Sequence, residues 1–69
     1  MNQLDFYLER AAAARREADA ATLDNVRDRC LRAALAWDEM ASRAARTERM
    51  RADSEARKAH MLMPVVAAE

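Results

Sequence analysis

The sequence predicts an all-α protein: an antiparallel two-helix hairpin with a longer second helix, which pairs with a second copy into a four-helix bundle. Three observations carry this. The 69 residues contain no glycine, and the only proline, Pro64, stands near the end, so almost nothing interrupts a helix. Alanine, arginine and glutamate, all strong helix formers, fill much of the length. The pattern is punctuated at one place, Ala21-Thr22-Leu23-Asp24-Asn25, which gives two helices and one short turn.

Helix 1 is expected over residues 4–21. Leu4, Tyr7, Leu8, Ala11, Ala14, Ala18 and Ala21 recur at steps of three and four and form one apolar stripe. Asp5 and Glu9 sit in the first turns, where the helix dipole favours negative charge. The turn, residues 22–24, offers Thr22 or Asp24 as the N-cap of helix 2, since either side chain can accept a bond from an unpaired backbone N–H. A link this short makes the helices antiparallel neighbours.

Helix 2 is expected over residues 24–62. Its stripe facing helix 1 is Val26, Cys30, Ala33, Trp37, Met40, Ala41 and Ala44. Trp37 is the largest anchor, expected near the middle of helix 1 among its alanines. Leu31 and Leu35 fall on the far side at about 100° per residue, and Phe6 falls away from the helix 1 stripe. Three large off-stripe residues, in a chain short of large ones, predict a second buried surface, the contact between copies. Helix 2 also outruns helix 1. The overhang, residues 46–60, carries Arg49 with Asp53, Asp53 with Arg57 and Arg51 with Glu55 at four-residue spacing. Each such pair contributes about 0.2–0.5 kcal/mol, the pattern of a solvated, self-supporting helix. Pro64 disfavours helix at Met63, so the domain ends there and residues 64–69 form an extended or disordered tail.

Size and composition restrict the rest. A chain this short is one domain, and below about 70–80 residues a single core rarely supplies more than roughly 3–5 kcal/mol without a staple. One cysteine excludes an internal disulfide, and one histidine with one cysteine makes no structural zinc set. Oligomerisation is the staple left. The formal net charge of +0 gives no global basic footprint for nucleic acid. The N-terminus lacks a basic segment followed by an apolar run, and the longest weakly interrupted apolar stretch, residues 61–68, is far too short to span a bilayer. A lone cysteine fits a reducing compartment, so a cytoplasmic protein without membrane contact is expected.

Each chemical candidate has a plainer alternative. Arg43, Arg46, Arg49, Arg51, Arg57 and Lys58 make the second half of helix 2 locally basic, a possible phosphate contact. Glu48, Asp53 and Glu55 are interleaved, and no aromatic stands among them to stack on bases. Cys30 lies on the apolar stripe, where a free thiol behaves as a small hydrophobe. His60-Met61-Leu62-Met63 holds copper(I)-type ligands, but His60 near a helix C-terminus is more simply a dipole partner, and no cofactor is expected. Residues 61–68 could serve as an apolar docking or degradation tag; a frayed terminus is the plainer alternative. Asp38 and Glu39 are adjacent, hence about 100° apart on a helix, and cannot share a proton as a dyad. No Ser/His/Asp set or glycine loop is present, so catalysis is not expected.

The segments Tyr7-Leu8-Glu9-Arg10-Ala11 and Ala21-Thr22-Leu23-Asp24-Asn25-Val26-Arg27-Asp28-Arg29-Cys30-Leu31-Arg32-Ala33-Ala34, with Trp37 and Met40-Ala41, resemble a group of short bacterial proteins, mostly α-proteobacterial. The resemblance covers residues 7–47 and implies a helical hairpin. It implies no activity and supplies no site residues.

The expected core within the hairpin is thus Leu4, Tyr7, Leu8, Ala11, Ala14, Ala18, Val26, Cys30, Ala33, Trp37, Met40 and Ala44. Phe6, Leu31 and Leu35 form the face between copies. Arg46, Arg49, Met50, Arg57, Met61, Leu62 and Met63 offer a surface to a further protein partner. The function these features suggest is a non-enzymatic interaction or adaptor module; the alternative is a nucleic-acid-associated protein using the basic half of helix 2.

Overall fold

A computed structural model describes residues 2–62; the expectations for Met63 and residues 64–69 lie outside them. The chain is all-helical and consists of two helices packed on each other, α1 (Gln3–Ala20) and α2 (Asp24–Leu62). α1 begins and ends one residue earlier than the apolar stripe suggests. The start is set by Asn2, whose Oδ1 accepts the Asp5 N–H at 2.8 Å. The Asn2 carbonyl then accepts the Phe6 N–H at 3.1 Å. Removing such a cap costs about 1 kcal/mol. Asn2→Ala is therefore expected to lower the urea midpoint and to speed amide exchange at Asp5 and Phe6. An unchanged exchange rate at both amides would show that the cap contributes nothing.

The turn is three residues long and needs no glycine because no described residue has a positive φ. Ala21 is extended, at φ −71° and ψ 136°, and its N–H closes α1 on the Ala18 carbonyl at 3.2 Å. The expected side-chain cap from Thr22 or Asp24 does not form. α2 starts instead at the Leu23 carbonyl, which accepts the Arg27 N–H at 3.0 Å. Asp24 is already the first helical residue, and its carboxylate takes Arg27 Nη1 at 3.1 Å. Arg27 Nη2 also reaches the Ala21 carbonyl at 3.2 Å, so one guanidinium clasps both ends of the turn.

The helices meet on small residues. Among the described residues, Ala11, Ala14 and Ala18 of α1 and Ala34 and Ala41 of α2 are the buried apolar ones, and no large side chain is fully buried. Leu4, Tyr7, Val26, Cys30, Ala33, Trp37, Met40 and Ala44 border this seam, each half-buried. Alanine on both sides lets two backbones approach closely but removes little apolar area from water. Leu8, expected in the seam, is 49% exposed. It stands at the stripe's edge, next to the meridian of Tyr7 and Ala11 rather than on it.

Trp37 sits lower on α1 than expected. It lies beside Phe6 and Tyr7 near the helix start, with ring centroids 5.8 Å and 5.9 Å away, not among the mid-helix alanines. The three-residue turn sets this register: thirteen residues into α2 lies opposite the first turns of α1. Phe6 meets the indole edge-on at 88°, and the Arg10 guanidinium lies 5.5 Å from the indole centroid. Gln3 donates to the Tyr7 hydroxyl at 2.8 Å.

The molecule is a rod, 71 × 17 × 14 Å, with a radius of gyration of 20.0 Å against about 11 Å for a compact chain of this length. Length explains it. At about 1.5 Å per residue, the 39 residues of α2 run roughly twice as far as the 18 of α1. Every described residue from Arg46 onward is exposed.

Candidate interaction surfaces

The first surface is one flank of the hairpin. Arg15 and Asp38 form an ion pair between the helices, with side chains 50% and 37% exposed. Residues seven apart lie within about 20° of one meridian. Leu8 precedes Arg15 by seven, and Leu31 precedes Asp38 by seven. The ion pair joins these two meridians, so Leu8 and Leu31 flank the same side, with Leu35 one turn beyond Leu31. The three are 49%, 44% and 64% exposed.

Phe6, expected on this face, is not part of it. Although 45% exposed, it spends its apolar edge on Trp37 within its own hairpin. Its place on this flank is taken by Leu8. A helical wheel fixes the direction of a Cβ, not where a long ring ends, and Phe6 bends around α1 to the indole.

The second surface is the overhang. Met50, Met61 and Leu62 are 63%, 81% and 83% exposed, and Arg46, Arg49 and Arg57 are exposed with them. The ion pairs expected at Arg49–Asp53, Asp53–Arg57 and Arg51–Glu55 are open; among the described residues the ion pairs are Arg15–Asp38 and Arg27–Asp24. Four-residue spacing brings side chains within reach, but in water an exposed pair gains little from closing.

Where α1 begins against α2, a notch of about 430 Å³ opens between the helices. Leu4, Tyr7, Met40 and Ala44 give it apolar walls, and Arg43, Glu48 and Arg51 stand at its rim.

The other candidate groups stay apart. Cys30 is half-buried, with Sγ 4.0 Å from Glu17 Oε2. His60 is fully on the overhang surface. Asp38 is tied to Arg15, while its neighbour Glu39 faces solvent. No three His, Cys, Asp or Glu side chains gather among the described residues, and no described helix is long and apolar enough to cross a membrane. In comparisons with known proteins, no family model, no curated protein and no solved structure matches this chain.

Proposed function

We propose that this chain is a small non-enzymatic protein-interaction module that works as a homo-oligomer. Two hairpins lie side by side as a four-helix bundle, joined through Leu8, Leu31 and Leu35. The observation that carries this is a mismatch: the seam inside the hairpin is five buried alanines, while three leucines on one flank stay about half exposed. Burying the exposed part of a leucine is worth on the order of 1 kcal/mol. A two-fold contact counts each leucine twice. That supplies what a chain of this size lacks on its own.

A second copy is the occupant the flank suits. A two-fold contact presents the same leucines to themselves. The Arg15–Asp38 and Arg27–Asp24 pairs on that flank are already matched internally, so they add no net charge to the contact between two copies. The chain's net charge of +0 opposes no self-association. The overhang projects from such a bundle as the outward surface.

Light scattering over a wide concentration range, with circular dichroism on the same samples, tests this. The expected result is a mass at or above twice the 7.8 kDa chain, with high helicity throughout. A monomeric mass at every concentration overturns it.

One observation favours a second reading, a nucleic-acid-associated helix. From Arg43 to Leu62, six basic side chains stand against three acidic ones, and none is in an ion pair with a described residue. Phosphate binding would weaken steeply with salt. Absence of any RNA or DNA shift at low salt removes this reading.

A further inference from the structure

We infer that the overhang is itself a pairing element, and that its occupant is the overhang of a second copy, running antiparallel and centred on Asp53. The inference rests on the chain being a self-associating module, but it uses a different face from the leucine flank.

The first observation is the course of the seam along α2. Ala34 and Ala41 are buried under α1, seven residues apart. Continued at the same step, that meridian passes through Glu48, Glu55 and Leu62. Its companion meridian, Trp37 and Ala44, continues through Arg51 and Lys58. These two series are the a and d positions of a heptad pattern. Past the end of α1, the seam that holds the hairpin together therefore reads Glu48, Arg51, Glu55, Lys58, Leu62. All five are exposed, and the four charged ones form no ion pair among the described residues.

The second observation is that this series is complementary to itself in one orientation. In an antiparallel pair, each a position faces a d position of the other helix. Aligned about Asp53, Glu48 faces Lys58 of the second copy, and Arg51 faces its Glu55. Two-fold symmetry repeats both pairs, so four layers match in sign. A parallel alignment in register sets Glu48 on Glu48 and Arg51 on Arg51, which repels. The charges thus select the antiparallel pair, the use for which polar seam residues are best attested.

The third observation is independent of charge. The same alignment brings Leu62 of one copy opposite Ala44 of the other. Ala44 lines the notch at the start of α1, together with Leu4, Tyr7 and Met40. Leu62 is 83% exposed, so an unburied apolar side chain meets the apolar wall of a notch whose rim is polar. In this alignment Leu62, the last described residue of the second overhang, reaches the level of the start of α1. Each α2 is then paired along its whole described length, first by its own α1 and then by the other α2.

Leucine-flank and overhang contacts are two separate two-fold contacts. A chain using both assembles beyond a dimer.

Cross-linking tests the register directly. Full-length chains carrying Cys30→Ser with Ala44→Cys are mixed with chains carrying Cys30→Ser with Leu62→Cys, in a glutathione redox buffer. The expected product is the mixed 44–62 disulfide, in at least about tenfold excess over 44–44 and 62–62. Adding Arg51→Glu to both chains sets the new carboxylate against Glu55 of the other copy, and the mixed product should fall about tenfold. Adding the exchange Arg51→Glu/Glu55→Arg restores the match, and the yield should return to within about threefold. Circular dichroism on each variant establishes that the helices persist. A statistical mixture of disulfides, a homotypic excess, or an exchange variant no better than the single reversal overturns the overhang pair. The first outcome with a dimeric mass leaves the leucine-flank bundle standing, so the two failures are distinguishable.

Discussion

Trp37→Ala is expected to cost the hairpin about 3 kcal/mol, the lower end for removing a tryptophan because the ring is only half-buried. The indole makes an edge-on contact with Phe6 and a tilted one with Tyr7, and it carries the Arg10 guanidinium on its ring. Each aromatic pair adds about 0.5–1.5 kcal/mol beyond its buried area, and the cation contact about 0.5–1 kcal/mol. The fully buried residues of the seam are all alanine, and none of them has a side chain able to move into the space left behind. A single chain of this size holds only about 3–5 kcal/mol in total, so the loss removes most of its margin. Far-UV circular dichroism during a urea titration should show the α1–α2 unit melting at much lower denaturant. Trp37→Phe keeps an apolar ring against Phe6 and should recover a large part of the loss. A Trp37→Ala variant whose midpoint matches the wild type's would mean that the alanine seam alone holds the hairpin.

The helices are legible in the sequence because their signals are local. Missing glycine, alanine at three- and four-residue steps and a single punctuated segment suffice to place both ends of α1 and the start of α2 within a residue. The parts that are not legible depend on where side chains end. Phe6 and Leu8 are two residues apart and on opposite edges of one stripe, and sequence spacing alone does not show that Phe6 reaches Trp37 or that Leu8 stays 49% exposed. Only the ring reaching Trp37 and the Arg15–Asp38 pair on the Leu8 side resolve them. Ala34 is hidden beside Ala33, since adjacent alanines give no cue to which is buried; its spacing of seven from Ala41 is the signal that separates them. The side-chain N-cap stands at Asn2, where Asn-Gln-Leu-Asp carries a capping residue three before an acidic one. At Thr22 and Asp24, where the sequence points to a cap, Arg27 organises the turn from within the helix.

Leu31→Lys/Leu35→Lys is expected to lower the solution mass below the wild type's at every concentration while leaving helicity high. The argument turns on what these leucines do inside one chain, which is little. They are 44% and 64% exposed, and neither belongs to the alanine seam. Exposed substitutions of this kind usually stay within about 0.5 kcal/mol of neutral for the folded chain. Between copies the effect is far larger. The two-fold contact would bring four added ammonium groups into an apolar patch, where each loses water. Leu8→Lys should act in the same direction, because the Arg15–Asp38 pair puts Leu8 on the same flank. Phe6→Ala should do the opposite: it loses its contact with Trp37, so thermal stability falls while the mass of the folded fraction holds. Sedimentation equilibrium on the four proteins reads both effects. If Phe6→Ala lowered the mass and the lysine variants did not, the contact between copies would lie on the Trp37 side of the hairpin. The leucine flank would then be only the outer edge of a thin helix pair.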